Sequence, residues 1–509
     1  MSFDAIVIGA GHNGLTAATV LAQSGRKVLA LEASSEIGGG ARTVEFHPGF
    51  KVSPVAHLVN RLHRKVISTL KLEKHGLELG ALAPTVVLSG NGPVVLHGGW
   101  GERLDGVAGE DARKWTEMRA VLLGQAAFLQ PFLARKASQL GKFSWRDKAF
   151  MAGRAIALRA TGREKFEDFL RMLLICAADV TEEYPGDARL QALTAFDAVL
   201  GQRLGPRSPT SLLGLLYKLS GGVDGQPGGQ VVPKGGMGAV AAAFAGSARA
   251  NGVELRCDVR VAQIVVEDHR AVGVILADGS AVRARQVLSA TAPQATLLGL
   301  VGAKHLDAGL VRSLSILPGK GNVAKLHLAL DRVPEAAGMP GRFVIADSLN
   351  EVEQAFNPSK YGELPDRPVF EFVLDRSGAP EGASVISACI PFAPFDLKQG
   401  WDKGREILTK SILTRLEEHC PGIGKSVVHA ELLAPPDLAA RYGIPGGHWH
   451  HVDMSADRLL MLRPLHELAG YQSTIAGLTL CGAGTHPGGG ICGISGLRAA
   501  QSVIAGDAA

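Results

Sequence analysis

The sequence predicts an α/β protein in which a mostly parallel sheet with helices is assembled from distant segments, and a second, α+β domain is inserted between them. Three observations predict it. A short apolar run passes through glycines into a helical pattern at residues 5–24, and the same order returns at residues 477–502. Between them, helical periodicity over residues 115–177 gives way to closely spaced β-rich runs over 253–289 and then to a mixture of both.

Residues 5–8, Ala-Ile-Val-Ile, form a run too short for anything but a buried strand. Gly9-Ala10-Gly11-His12-Asn13-Gly14 follows, a G-x-G-x-x-G. A helical pattern occupies residues 15–24, Gly25 closes it, and residues 27–31 read as a second strand ending at Glu32. The three glycines act differently. Gly9 permits the tight turn, Gly11 lets the backbone approach a pyrophosphate, and Gly14 lets helix pack on sheet. The helix N-terminus presents unpaired N–H groups and a partial positive charge to the anion. Glu32 can accept from ribose hydroxyls, and its charge repels a 2′-phosphate. In a chain with 64 glycines the motif alone is weak evidence. Strand, helix, second strand and terminal acid in register make it a Rossmann-like dinucleotide site.

Directly after Glu32 come Gly38, Gly39 and Gly40, then Arg42. Bare backbone there admits a second part of the cofactor, and Arg42 offers a counter-charge to phosphate. A flavin site needs this arrangement; a nicotinamide dehydrogenase does not. The E-A-x-x-x-I-G-G-G text resembles the phytoene desaturase and amine oxidase superfamily of FAD-dependent oxidoreductases. Pro48-Gly49-Phe50 and residues 71–77, Lys-Leu-Glu-Lys-His-Gly-Leu, resemble a phytoene dehydrogenase-related branch of it. The resemblance implies FAD as cofactor. It departs from the superfamily at Gly40, where a G-G-R arginine is usual; Arg42 lies two residues later.

Residues 78–227 change character, with helical spacing over 115–132 and 143–177. The basic amphipathic stretch from Lys142 through Arg146, Lys148, Arg154, Arg159 and Arg163 reads either as a surface resting on anionic lipid or as a helical cap with a solvated basic face. The cap reading is favoured, with peripheral membrane contact as the alternative. Glycines at 221–229 mark a boundary. Residues 231–238 resemble the family's P-x-G-G-M block. A helix over 238–250 and strands at 253–256, 259–266, 271–276 and 282–289 follow, with Asp278-Gly279 as a hairpin turn. The V-x-x-I text at Val261 and Ile264 resembles the strand whose valine backbone meets the adenine in this family, so that role is carried to Val261.

No catalytic motif stands out over 296–469. His448 and His450 are expected on one face of a strand, but a third ligand at suitable spacing is absent, so no metal site is expected. At the C-terminus, a strand at 477–481 enters Gly482-Ala483-Gly484-Thr485-His486-Pro487-Gly488-Gly489-Gly490-Ile491 and then a helix. This block resembles the family text that lies along the ribityl chain and isoalloxazine, which implies cofactor contacts at Gly482, Ala483, Gly490 and Ile491. Amine oxidases carry an acid where Ala483 stands.

The expected organisation is an FAD-binding domain from 1–77, 228–295 and 470–509, with a substrate domain from 78–227 and 296–469. A net charge of +5 over 509 residues gives no reason to expect nucleic acid. Six scattered cysteines, without C-x-x-C or C-x-x-x-x-C, exclude a closely spaced redox pair and suit a reducing cytoplasm. No signal peptide or membrane span is expected. The functional expectation is desaturation or saturation of a C–C bond in a small apolar or alicyclic substrate. Amine oxidation and a non-redox role, as isomerase or interaction protein, are the alternatives. No Phe, Trp or Tyr follows Tyr471, which counts against amine oxidation. A second G-x-G-x-x-G opening a helix is lacking, so electrons are expected to leave to oxygen, a quinone or another external acceptor. His57, His451 and His486 are the candidate catalytic groups, as neutral bases near neutrality.

Overall fold

The computed structural model describes residues 3–139, 141, 143–334 and 341–507. Strand Phe3–Ile8 pairs in parallel with Val28–Leu31 on one side and with Ala281–Ser289 on the other. Glu254–Arg256 extends the sheet beyond Val28–Leu31, and Leu478–Leu480 joins it beside Ala281–Ser289. The first half of Ala281–Ser289 turns away to close an antiparallel meander with Arg270–Leu276 and Val261–Glu267.

Both faces of this sheet are covered, which is why its strands read as unbroken apolar runs. Successive residues of the first strand serve opposite faces. Ala5 and Val7 pack under helices His12–Gln23, Gly236–Ala250 and Ile494–Asp507; Ile6 and Ile8 pack under the meander and the helical turn Ala295–Val301.

A second, eight-stranded sheet runs in the order Val427–Leu433, Val323–Leu330, Ser384–Pro391, Phe370–Asp375, Arg342–Ile345, Thr85–Leu88, Val94–His97, Arg103–Asp105. Among its described pairings, only that of Arg342–Ile345 with Thr85–Leu88 is parallel. Chain from both sides of the meander therefore meets in one sheet. Helix Trp401–His419 covers its apolar face through Leu408, Ile412 and Leu416, against Leu326, Leu328 and Ile386. Helices between Gly109 and Leu219 form a separate core around Trp115, Phe196 and Leu216. The segment read as one helical stretch over 143–177 contains two helices, Trp145–Ala160 and Arg163–Leu174, interrupted at Gly162 with φ +102°. His448 and His450 lie on a turn rather than on a strand; the chain folds sharply there, with His451 N–H donating to the His448 carbonyl.

Candidate active site

A cavity of about 590 Å³ runs from the first glycine-rich junction to the inner face of the eight-stranded sheet. Its two ends are built differently.

At the first end, the close packing of helix on strand depends on Gly14, where a Cβ would lie 1.9 Å from the Gly9 carbonyl oxygen. Gly39 (φ +56°) approaches Gly11 so closely that its Cβ would stand 3.1 Å from the Gly11 Cα. Gly11 and Gly39 thus leave bare backbone on the cavity wall. Glu32 is already oriented: its carboxylate accepts from Ala10 N–H at 2.9 Å and from Ser34 N–H and Oγ at 3.1 and 3.0 Å. Arg42 is buried, donates to Ser34 Oγ at 2.8 Å and stacks over Tyr442, yet its Nε–H has no partner. His12 Nε2 and Asn13 Oδ1 are likewise buried without partners. An oriented ribose acid, bare glycine backbone and an unsatisfied guanidinium suit a dinucleotide's ribose and phosphates.

Gly9, Gly11, Gly14, Glu32, Gly39, Gly40, Arg42, Val261, Ala483, Gly490 and Ile491 all line this cavity. Gly482 does not; it packs against the Ala290 carbonyl, which a Cβ there would approach to 2.4 Å. Gly490 stands against Arg61, whose guanidinium lies 3.6 Å over the Tyr217 ring.

The three histidine candidates separate. His486 is buried away from the cavity lining, its Nε2 at 3.1 Å from the Phe132 carbonyl. His451 lines the cavity with Nδ1 unpartnered. Burial pushes His451 down to about 3 and His486 to about 4, so each is a poor proton acceptor near neutrality. His57 lines the cavity at its second end. Its Nε2 is 3.0 Å from Glu371 Oε1, and its Nδ1 is 2.8 Å from the Lys325 ammonium.

That second end is a network of buried charges. Arg342 bridges Glu371, at 2.5 Å, and Asp197, which Lys218 also meets at 2.5 Å and Trp100 Nε1 at 3.1 Å. Lys325 also donates to Ser387 Oγ at 2.9 Å and approaches Cys389 Sγ at 3.4 Å. Burial opposes charge on Glu371 and Asp197, but Arg342 outweighs it and holds both carboxyls below the usual range. Burial likewise works against charge on His57, and the facing Cys389 and Glu371 overcome it and raise the ring above its ordinary value. His57, Glu371 and Cys389 offer three donor atoms within 4.8 Å of one another, the size of a metal site. Lys325 Nζ sits against two of the three, 2.8 Å from His57 Nδ1 and 3.4 Å from Cys389 Sγ.

Sequence reasoning missed Lys325, Glu371, Arg342, Asp197, Lys218 and Cys389. The signal lay in period-two alternation. Lys325 and His327 alternate with Leu326 and Leu328, and Glu371 stands between Phe370 and Phe372. In register, Lys325 faces Cys389 and Cys389 faces Glu371, a row across three strands.

A model of flavin-containing amine oxidoreductases matches residues 14–504. The chain belongs to that family. It is therefore a flavin-dependent oxidoreductase. Pyridine nucleotide-disulfide oxidoreductase domain-containing protein 2 of Rattus norvegicus is 32% identical over 547 residues, covering 99% of this chain and 93% of that one. Hydroxyneurosporene desaturase of Cereibacter sphaeroides is 27% identical over 527 residues, covering 98% and 97%. In three dimensions the family member is similar to cyclohexylamine oxidase from Brevibacterium oxydans, with a TM-score of 0.61 at 15% identity and coverage of 99% and 98%. That likeness bears on the fold, a Rossmann-like cofactor domain with an inserted α+β part. No described helix is long and apolar enough to cross a membrane.

Proposed function

We propose that this oxidoreductase carries FAD and desaturates, or in reverse saturates, a carbon–carbon bond of a small apolar or alicyclic substrate. Bound flavin supplies hydride chemistry at N5. Gly11 and Gly39 leave room for the diphosphate, Arg42 offers it a guanidinium, Glu32 takes the ribose and Val261 borders the adenine. The observation that carries the substrate reading is the state of the acids on the cavity wall. Asp197 and Glu371 are both neutralised by Arg342, Lys218 and His57, and Glu32 stands at the nucleotide end. None of these three is left to receive an alkylammonium group. Leu200, Tyr217, Ile444, Trp449 and Met454 supply apolar wall instead. In the saturating direction, the proton held between His57 and Lys325 is placed to be given to a substrate carbon.

The test begins with the released cofactor, which should be FAD and not FMN. Anaerobic mixing with apolar carbonyl and polyene compounds should bleach the flavin and give a product changed by two hydrogens, while amines should not. Rapid bleaching by NADH or NADPH would make the protein a reductase. A product with unchanged hydrogen count would make it an isomerase.

Electrons then pass to oxygen, a quinone or another external acceptor. Helix Trp145–Ala160 buries no residue, with Trp145 73% and Ile156 69% exposed among Arg146, Lys148 and Arg159. That composition suits an anionic lipid surface, where apolar substrates and quinones concentrate. Sedimentation with anionic but not zwitterionic vesicles, lost on Trp145→Ala with Ile156→Ala, is the expected result; indifference to vesicle charge would leave a solvated cap.

A further inference from the structure

With both lysines protonated and every thiol neutral, the buried network carries one positive charge too many, and burial pushes both lysines down. Its ammonium and guanidinium groups are Lys325, Arg342 and Lys218, and its carboxylates are Glu371 and Asp197. His57 adds no fixed charge, because the Nδ1···Nζ contact at 2.8 Å holds one proton between ring and amine. One anion is missing from a region where every one of these charged side chains is at least 85% buried. Leaving a buried cation unmatched is expensive. Among the described residues touching the network, Cys389 is the remaining acid. Its Sγ lies 3.4 Å from Lys325 Nζ and 3.6 Å from His57 Nδ1, and it lines the cavity.

The arrangement has the form of an activated nucleophile: a sulfur beside a histidine, with the opposite nitrogen of that histidine on a carboxylate. Lys325 adds a fixed cation to the same sulfur. We propose that Cys389 is a thiolate facing the cavity, and that it takes α,β-unsaturated carbonyl ligands by reversible conjugate addition. A bond forms between Sγ and the β-carbon while the carbon–carbon π bond breaks. Its electron pair passes to the α-carbon, which receives the proton shared by His57 and Lys325. Elimination returns proton and thiolate, so no oxidant or reductant is consumed. Burial pushes the thiol up, yet His57 and Lys325 together hold it below its ordinary value. His57 from its loop and Lys325 from the neighbouring strand favour the anion, and Glu371 from the strand on the other side opposes it; His327 lies on the Lys325 strand, and Arg342 pairs with Glu371.

The experiment uses the flavin-loaded enzyme and N-ethylmaleimide, a conjugate acceptor, with adducts assigned by peptide mass. An ordinary thiol loses about tenfold in rate for each pH unit below a pKa of about 8.5. Cys389 should lose less than about threefold between about pH 8 and pH 6. Cys257, a half-buried cysteine remote from the network, should follow the ordinary slope. Lys325→Met should restore that slope at Cys389, and Lys325→Arg should keep it flat. Retained flavin absorbance shows that each variant is folded. If Lys325→Met does not fold, the wild-type profile still decides, together with the thiolate ultraviolet band that Cys389→Ser should remove near neutral pH. An ordinary slope at Cys389, or labelling of Cys257 with none at Cys389, overturns the proposal. Neither result touches the cofactor or substrate reading, which flavin bleaching tests separately.

Discussion

The two ends of the cavity solve opposite problems. The nucleotide end is made of missing side chains: Gly11 and Gly39 approach each other, and the wall is backbone. The inner end is made of charged side chains that meet from strands, helices and a loop. An absence of side chains is written locally, as consecutive glycines. A meeting of side chains is written nowhere in particular, because its members lie far apart in the chain.

Four measurements break or sharpen this contrast. The largest effect belongs to Gly11→Val. The added carbons take the space of the diphosphate, so flavin content should fall to background while the helical core around Trp115 keeps its circular dichroism. Flavin content near that of the unmodified protein would show that the bare backbone is not the binding surface.

Next is Arg342→Met, which leaves Asp197 with only Lys218 and Trp100 and Glu371 with only His57. Breaking a buried pair by removing one partner costs about 3–5 kcal/mol. Thermal unfolding should report that loss, with flavin stoichiometry unchanged in the folded fraction. A loss under about 1 kcal/mol, typical of exposed pairs, would mean that the network is solvated.

Glu32→Ala removes a charged acceptor for a ribose hydroxyl, worth about 1.5–3 kcal/mol. Flavin affinity should weaken by about one to two decades, against no change for Glu267→Ala, whose carboxylate pairs with Arg283 on the surface. Equal losses in the two variants would move the ribose elsewhere.

The last measurement is titration. Burial lowers His12, at the nucleotide end, to about 4, whereas His57, at the charged end, is raised. Below its ordinary value of about 6.5 the unfolded chain protonates His12 and the folded chain does not. Stability therefore falls as pH drops from about 6.5 to about 4, by on the order of 1.4 kcal/mol per pH unit for each such ring. His451 and His486 act in the same direction. His57 has the opposite sign, with its contribution complete below its ordinary value and lost as pH rises through the raised one. Ring-resolved proton NMR titration should show the His12 ring taking up a proton only at lower pH than His57; the reverse order would erase the distinction between the ends.

The same contrast explains what could be read from the sequence. The α/β class and the run from Phe3 to Arg42 follow from spacing, because strand, glycine and helix signals are neighbours in the chain. Lys325, Glu371 and Cys389 could not be singled out, since a polar face on a strand ordinarily means solvent. Here that face meets a cavity, and only the pairing of Val323–Leu330 with Ser384–Pro391 and of the latter with Phe370–Asp375 makes them a row. The histidines of the 448–451 turn were visible as residues but not as geometry. Arg463 shows a further limit: fully buried, it donates to the carbonyls of His450, Val452, Asp453, Ala483 and Thr485. No spacing rule foretells one guanidinium tying two loops together.

The packing of helix His12–Gln23 against helix Ile494–Asp507 brings the two glycine-rich junctions into one wall. During synthesis, the first strand and its glycine turn leave the ribosome long before their partner exists. Leu478–Leu480 and the loop that carries Gly490 emerge far later, so the cavity wall is complete only after both junctions have been made. A chain halted before residue 478 would display the first glycine motif intact and lack the other half of that wall. Completion of the cavity is therefore timed by a late stage of translation.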